Sequence, residues 1–339
     1  MAFIEASDLV KTYSPKGAPI VHALDGLSLQ IPQGTVTALL GPNGAGKTTT
    51  VKVLSTLIRP DSGSATIDGV DVLSDPDRVR RMIGASGQYA AVDENLTGFE
   101  NLEMVGRLYH LGARQARARA RELIELFDLV EAQNRVVKGF SGGMRRRIDL
   151  AGALVINPPV LFLDEPTTGL DPRSRLSLWG IIESLVGDGT TVLLTTQYLE
   201  EADRLADSIS VIDDGRVIAE GTADELKASI GGQRVALTLV DDERTDAVRE
   251  ILQRYGTGEP VASNESKTWI VPVADGPAAL SAIVGDVTAA GIRLHDAGMR
   301  RPTLDDVFLQ LTGRSADAPG DADGNADANA DDSTTEAAA

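Results

Sequence analysis

The chain has 339 residues with 50 acidic against 32 basic side chains, a formal net charge of −18, and so does not read as a nucleic-acid binder that works through bulk positive charge. At 42% hydrophobic and 24% charged it is long enough for a sizeable core and, by length, for two domains, and its composition excludes collagen-like or wholly disordered chains. The absence of cysteine excludes disulfide scaffolds, cysteine-ligated metal sites and thiol catalysis. The first residues have neither the basic nor the apolar region of a secretory signal. No stretch approaches the roughly 18 consecutive apolar residues of a membrane span, so a cytosolic chain without a transmembrane pathway of its own is expected.

In chain order, residues 35–40 read as a strand and 48–58 as a helix. Between them stand Gly41, Pro42, Asn43, Gly44, Ala45, Gly46, Lys47 and Thr48, followed by Thr49. Ser141, Gly142, Gly143 and Met144 open a helical pattern with Ile148, Ala151, Leu154 and Val155 on one face; on local sequence alone this is an ordinary capped helix, and Arg145, Arg146 and Arg147 read as its solvated basic face. Residues 159–163 form an apolar strand ending in Asp164 and Glu165, 173–186 a helix and 190–195 another strand. That alternation predicts an α/β domain with a largely parallel sheet. Residues 208–212 and 217–220 read as a hairpin, and Gly231-Gly232 as a hinge. Strand patterns at 235–240 and 268–273, with helical ones at 246–255 and 278–290, predict a small α+β domain over 233–313. Beyond 314 the chain carries seven acids and no base among mostly small residues, which predicts a disordered acidic tail over 315–339.

The stretch from Gly41 to Thr48 satisfies G-x-x-x-x-G-K-[ST] between a strand and a helix, the context a phosphate-binding loop requires. Glycines let successive N–H groups and the positive end of the helix face an anion, Lys47 supplies a point charge to the β- and γ-phosphates, and the Thr48 hydroxyl can ligate Mg2+. Ligands bind outside the carboxyl ends of parallel strands, which places Asp164 to hold Mg2+ and Glu165 to polarise an attacking water as general base. An acid pair after a strand is weak evidence alone. Its weight comes from the phosphate-binding loop upstream.

Ser141-Gly142-Gly143 resembles the signature loop of ATP-binding-cassette (ABC) ATPases, and the other elements of that family fall in its order. Tyr13 is similar to the aromatic that stacks on adenine, Gln88 to the glutamine that senses Mg2+ and contacts the membrane partner, and the stretch ending in Asp171 to the D-loop. The resemblance spans about residues 1–225 and implies a P-loop NTPase cassette as domain 1–230, a mainly parallel α/β sheet with a helical subdomain. It implies ATP and Mg2+ as cofactors, with Thr48, Gln88 and Asp164 at the metal and Lys47, Glu165, Gln88 and Gln197 in the chemistry. It also implies a head-to-tail homodimer in which Ser141 and Gly143 of one cassette meet the γ-phosphate held by Lys47 of the other.

Two departures stand out. Gln197 occupies the place where the family commonly has histidine; its amide can donate to a phosphate but cannot become imidazolium. Met144 replaces the signature glutamine. With the arginine triplet, the Gln197-Tyr-Leu-Glu-Glu-Ala-Asp string and the ending from Arg301 to Gly313, these resemble the daunorubicin/doxorubicin-resistance ATP-binding subunits of bacterial drug exporters. That branch implies a separate transmembrane permease, a hydrophobic drug or lipid as cargo, a peripheral place on the cytoplasmic side of the cell membrane, and a dimerisation or regulatory role for 233–313. The alternative is a soluble ABC ATPase acting in translation or DNA maintenance. Translation members usually carry two cassettes in one chain and DNA-repair members insert long coiled coils, and neither feature is present, so no nucleic-acid partner is expected.

Overall fold

The computed structural model describes residues 2–14, 17, 19–87, 91–241, 244–263 and 267–312. Gln88 and the acidic tail expected over 315–339 lie outside the described residues.

The chain opens as an antiparallel pair, β1 (Ala2–Tyr13) and β2 (Val21–Pro32), which β4 (Ser62–Ile67) and β5 (Val70–Asp71) extend to a four-stranded sheet of order β2-β1-β4-β5. Between them runs β3 (Val36–Leu40), which belongs to a second sheet. Together with β7 (Val160–Asp164) and β8 (Thr191–Thr196), β3 is buried at every residue. Such strands need cover on both faces, the signature of a parallel sheet interior. They form the middle of the order β10-β9-β3-β8-β7-β6, with β6 (Ile83–Ser86), β9 (Ser208–Asp213) and β10 (Arg216–Gly221) completing it. Every pairing is parallel except the β9–β10 hairpin.

Because side chains alternate across a strand, each face meets a different cover. Leu161, Leu163, Val192 and Leu194 pack with Leu102 of α3 (Gly98–Leu108), Leu123 of α4 (Ala113–Leu126), Ile148 of α5 (Gly142–Ala153) and Leu178 of α6 (Pro172–Gly187). Their alternates Val160, Phe162 and Leu193 face Val51 and Leu54 of α1 (Lys47–Leu54) and the apolar side of the antiparallel sheet. The expected parallel sheet and helical layer are therefore present. The antiparallel sheet was not foreseen, and the helix expected over 48–58 ends at Leu54, with Thr56 at φ +63° turning the chain out of helical geometry. A short α2 (Pro76–Arg80), with its N-cap at Asp75, leads into β6.

After β8 come α7 (Leu199–Leu205) and, beyond the hairpin, α8 (Ala223–Ser229) with a Thr222/Glu225 capping box. Gly231 and Gly232 both take left-handed φ values before the third sheet. That sheet has the antiparallel order β12-β13-β11-β14, from β11 (Gln233–Leu239), β12 (Val261–Ser263), β13 (Thr268–Val273) and β14 (Leu294–Arg300). One face packs on α9 (Thr245–Tyr255) and α10 (Gly276–Ala289) through Val235, Leu237, Val271, Val248 and Ile283. The final helix, α11 (Leu304–Thr312), leaves this sheet and returns to the central one. Its Leu304, Val307 and Phe308 are buried with Ala38, Leu40, Leu199, Ala202, Ile209 and Leu226. Among the described residues no helix is long and apolar enough to cross a membrane.

Phe308 is about 1% exposed in that contact, so Phe308→Ala should destabilise the protein by about 3–5 kcal/mol, read as a lowered urea midpoint. A midpoint unchanged from the parental protein would show that α11 is not docked on the cassette in solution.

Candidate active site

The five parallel strands described in the central sheet present their carboxyl ends to one edge, and three of those ends carry predicted residues. β3 runs into Gly41, β7 ends in Asp164, and β8 ends one residue before Gln197. β8 lies between β3 and β7, in register with Leu40 opposite Thr196 and Asp164 opposite Thr195. This places the loop after β3 and the acids after β7 on either side of one strand end.

The loop after β3 is shaped by its glycines. Gly46 has φ +108°, and a Cβ there would run into the Ala23 carbonyl oxygen. At Gly41 a Cβ would strike the Ile212 carbonyl. Only hydrogen fits at either position. Gly46 precedes α1, whose N-terminus has no side-chain cap and no acid in its first turn. By contrast α3 and α8 close their first turns with Thr-Glu capping boxes. The free N–H groups of α1 and its positive dipole end suit a phosphate. Lys47 is buried, its Nζ donating to the Gly41 carbonyl at 2.8 Å and the Pro42 carbonyl at 3.0 Å, with Glu165 Oε1 at 3.7 Å. Burial lowers its ammonium from the ordinary lysine value, and the charges of Glu165 and Asp164 oppose that shift.

Asp164 is 3% exposed, and its Oδ1 accepts from the Thr195 hydroxyl at 2.6 Å and the Thr48 hydroxyl at 3.2 Å. A carboxylate and a hydroxyl oxygen this close, facing a phosphate site, are the hard oxygen donors that Mg2+ takes together with substrate phosphates. Glu165 has φ +48°, a left-handed conformation uncommon for a residue with a side chain. Its N–H donates both to the Thr195 carbonyl and to the Thr195 hydroxyl at 3.1 Å, and its Oε2 accepts from the Thr168 hydroxyl at 3.4 Å. Lys47, Thr48, Asp164 and Glu165 thus form one hydrogen-bonded and charge-paired cluster.

The signature residues form a second group. Ser141 caps α5, its hydroxyl accepting from the Met144 N–H at 3.3 Å. A Cβ on Gly143 would lie 2.6 Å from Ser174 Oγ, so the start of α5 touches the start of α6. Asp171 caps α6, accepting from the Ser174 hydroxyl at 2.6 Å and its N–H at 3.0 Å, and these bonds lower its pKa. Tyr13 closes β1, exposed, with Lys11 Nζ 5.9 Å from its ring centre. Gln197 is half-buried directly after β8.

Sequence reasoning missed four residues. Thr195 bridges Asp164 and Glu165, a role visible only once the strand register is known. Arg146, read as part of a solvated basic face, is instead buried and donates to the Asp164 and Pro166 carbonyls at 3.1 and 2.8 Å, because its turn of α5 faces the sheet edge rather than water. Asp149, one turn on, accepts from the Ser86 hydroxyl at 2.6 Å. Glu201 is fully buried on α7 and accepts from the Trp179 indole at 3.0 Å.

A family profile described as ABC transporter matches residues 24–168. The chain is 52% identical over 314 residues to the daunorubicin resistance ATP-binding protein DrrA2 of Streptomyces coeruleorubidus, covering 93% of this chain and 96% of that one. It is 50% identical over 314 residues, 93% of each chain, to the daunorubicin/doxorubicin resistance ATP-binding protein DrrA of Streptomyces peucetius. Among solved structures it resembles a dimeric ATP-binding cassette in a post-hydrolysis state bound to ADP and Pi, at 29% identity and a TM-score of 0.60, over 65% of this chain and 98% of that one.

Burial raises the Glu201 carboxyl above the usual carboxylate value. The folded protein therefore holds that proton to higher pH than the unfolded chain. The associated stability is full below the unfolded pKa of about 4.3 and is lost as pH rises through the folded value. Glu201→Gln keeps an acceptor for Trp179 without the charge, so the melting-temperature difference, variant minus parental, should grow between pH 5 and pH 8. A difference independent of pH would contradict this.

Proposed function

The chain belongs to the ABC transporter family as an ATP-binding, ATP-hydrolysing subunit, and from that premise we propose that it powers a bacterial exporter by closing and reopening a head-to-tail pair of cassettes. The observation that carries the proposal is the meeting of Lys47, Thr48, Asp164 and Glu165 over the carboxyl ends of β3, β7 and β8. In this reading Tyr13 stacks on the adenine, and the loop from Gly41 to Thr49 wraps the phosphates with its N–H groups. Lys47 exchanges the Gly41 and Pro42 carbonyls for β- and γ-phosphate oxygens. Thr48 and Asp164, with Gln88, would hold Mg2+, which would supply charge neutralisation on the transferring phosphoryl group. Glu165 orients the attacking water and accepts its proton, and the Gln197 amide donates to the γ-phosphate. Ser141, Gly142 and Gly143 of the second copy close the site beside Asp171. The rate gain on this account is positioning and electrostatics with no covalent intermediate.

A separate permease would supply the membrane pathway, with this subunit peripheral on its cytoplasmic side. Identity of 50% or more to proteins named for daunorubicin resistance, over nearly their whole length, supports a hydrophobic drug such as an anthracycline, or a lipid, as cargo. Residues 1–230 would act as the nucleotide-binding domain and 233–313 as an accessory regulatory or dimerisation domain.

Lys47→Ala should lower ATP turnover by on the order of a hundredfold or more, because a charge aimed at the phosphates is lost. Undiminished turnover would remove Lys47 from the site. Glu165→Gln should slow hydrolysis about 10²–10⁴-fold and accumulate an ATP-bound dimer in size-exclusion chromatography. A variant that hydrolyses at the parental rate and stays monomeric with ATP would take the base role from Glu165.

A further inference from the structure

We propose that Arg146, seated by Asp149, is a positioning residue that sets the aim of Glu165. The inference rests on Glu165 being the general base and adds a device that controls it.

Arg146 lies on α5, five residues after the Ser141 cap, and is buried. Its guanidinium donates to three main-chain carbonyls: Asp164 at 3.1 Å, Pro166 at 2.8 Å, and Gly87. The first two flank Glu165. Glu165 sits in a left-handed conformation at φ +48°, which a residue with a side chain keeps only when its surroundings hold it there. Thr195 holds its N–H, and Arg146 holds the carbonyls on either side. The peptide plane that leads into Glu165 is thereby held at both edges, its N–H by Thr195 and its carbonyl by Arg146, and the bond to the Pro166 carbonyl anchors the turn just beyond it.

The third carbonyl and the counter-ion connect this hold to another element. Asp149 lies 3.6 Å from the Arg146 guanidinium; its Oδ2 accepts from the Ser86 hydroxyl at 2.6 Å and its Oδ1 from the Ala91 N–H at 2.7 Å. Arg146 and Asp149 together thus grip Ser86, Gly87 and Ala91 at the exit of β6 while gripping the turn after β7. Both sit on the helix that begins at Ser141. A shift of α5 or of the β6 exit relative to β7 must pull on the carbonyls that hold Glu165. Arginine suits the place because its planar fork offers five donors to several acceptors at once, whereas a lysine ammonium on a flexible stem is a single point of attachment.

The test uses the full-length protein and two variants that avoid an unpaired buried charge. Arg146→Lys keeps a positive charge beside Asp149 but cannot span three carbonyls, and Arg146→Gln/Asp149→Asn removes both charges together. Each is expected to lower kcat for ATP at least about tenfold, with KM within about threefold of parental, since the phosphate-binding loop is untouched and only orientation is lost. In a Glu165→Gln background Arg146→Lys should reduce the residual rate no further, because a residue acting through Glu165 has nothing left to position. Parental kcat in both variants overturns the inference. So does a multiplicative loss in the Glu165→Gln background, or a fall in kcat matched by a rise in KM and a drop in melting temperature; these last mark a structural role alone. Glu165→Gln turning over at the parental rate would instead remove the base on which the inference stands.

Discussion

Asp164 ends a strand buried on both faces, and a carboxylate there must find its partners inside the protein. Leaving a buried charge unpaired costs several kcal/mol, so the surroundings of Asp164 are constrained far more tightly than those of a surface acid. The partners are two hydroxyls: Thr195, directly opposite across the β7–β8 register, and Thr48, in the first turn of the helix that follows β3. These bonds bring the ends of β3 and β7 together over β8. Around that point the rest follows: the loop curls to bring Lys47 beside the acids, and Thr195 also receives the N–H of Glu165.

The electrostatics of this place differ from those of the whole chain. A net charge of −18 describes the surface and the terminal acids, while the phosphate-facing edge combines a buried ammonium with an uncapped helix N-terminus. Lys47 donates to backbone carbonyls, which are weaker competitors than a triphosphate would be, and among the described residues the carboxylate within 4 Å of it is Glu165, at 3.7 Å. The ammonium is held in position without being neutralised by a short ion pair, which leaves its field directed at an incoming anion.

Much of this was legible in the amino-acid sequence because the elements involved are local. A phosphate loop between strand and helix announces itself by type and spacing within a dozen residues, and it gives weight to the apolar strand ending in Asp164 and Glu165. The strand at 268–273 matches β13 to the residue. What escaped depends on contacts between distant segments. Arg146 in a run of three arginines carries no local sign that one guanidinium turns inward, since burial of that helix turn is decided by the ends of β7 and β6, some 20 and 60 residues away in the chain. Thr195 reads as one more β-branched strand residue until the register places it against Asp164. The N-terminal sheet was missed for a similar reason: β1 and β2 pair across several register shifts, so their alternation is broken where a periodic pattern would have revealed it.

The last helix joins the third sheet to the chemistry. Its buried face of Leu304, Val307 and Phe308 packs on α7 and α8, in one core cluster with Ala38 and Leu40 of β3, the strand that becomes the phosphate loop, and with Leu199 of α7, two residues after Gln197. Asp306 of the same helix is held by Arg234 of β11 at 3.4 Å and by Arg300 of β14 at 2.9 Å. One helix turn thus has an apolar side in the core of the central sheet and a charged side bound to the third sheet. Close-packed interiors transmit displacement and absorb little of it. A rotation of the third sheet must therefore either shift α11 against α7 and α8 or break the Asp306 ion pairs, and the second outcome would leave Arg234 buried without its counter-ion. The third sheet is thus tied through one helix to the core beneath the strands that lead to Lys47 and Gln197.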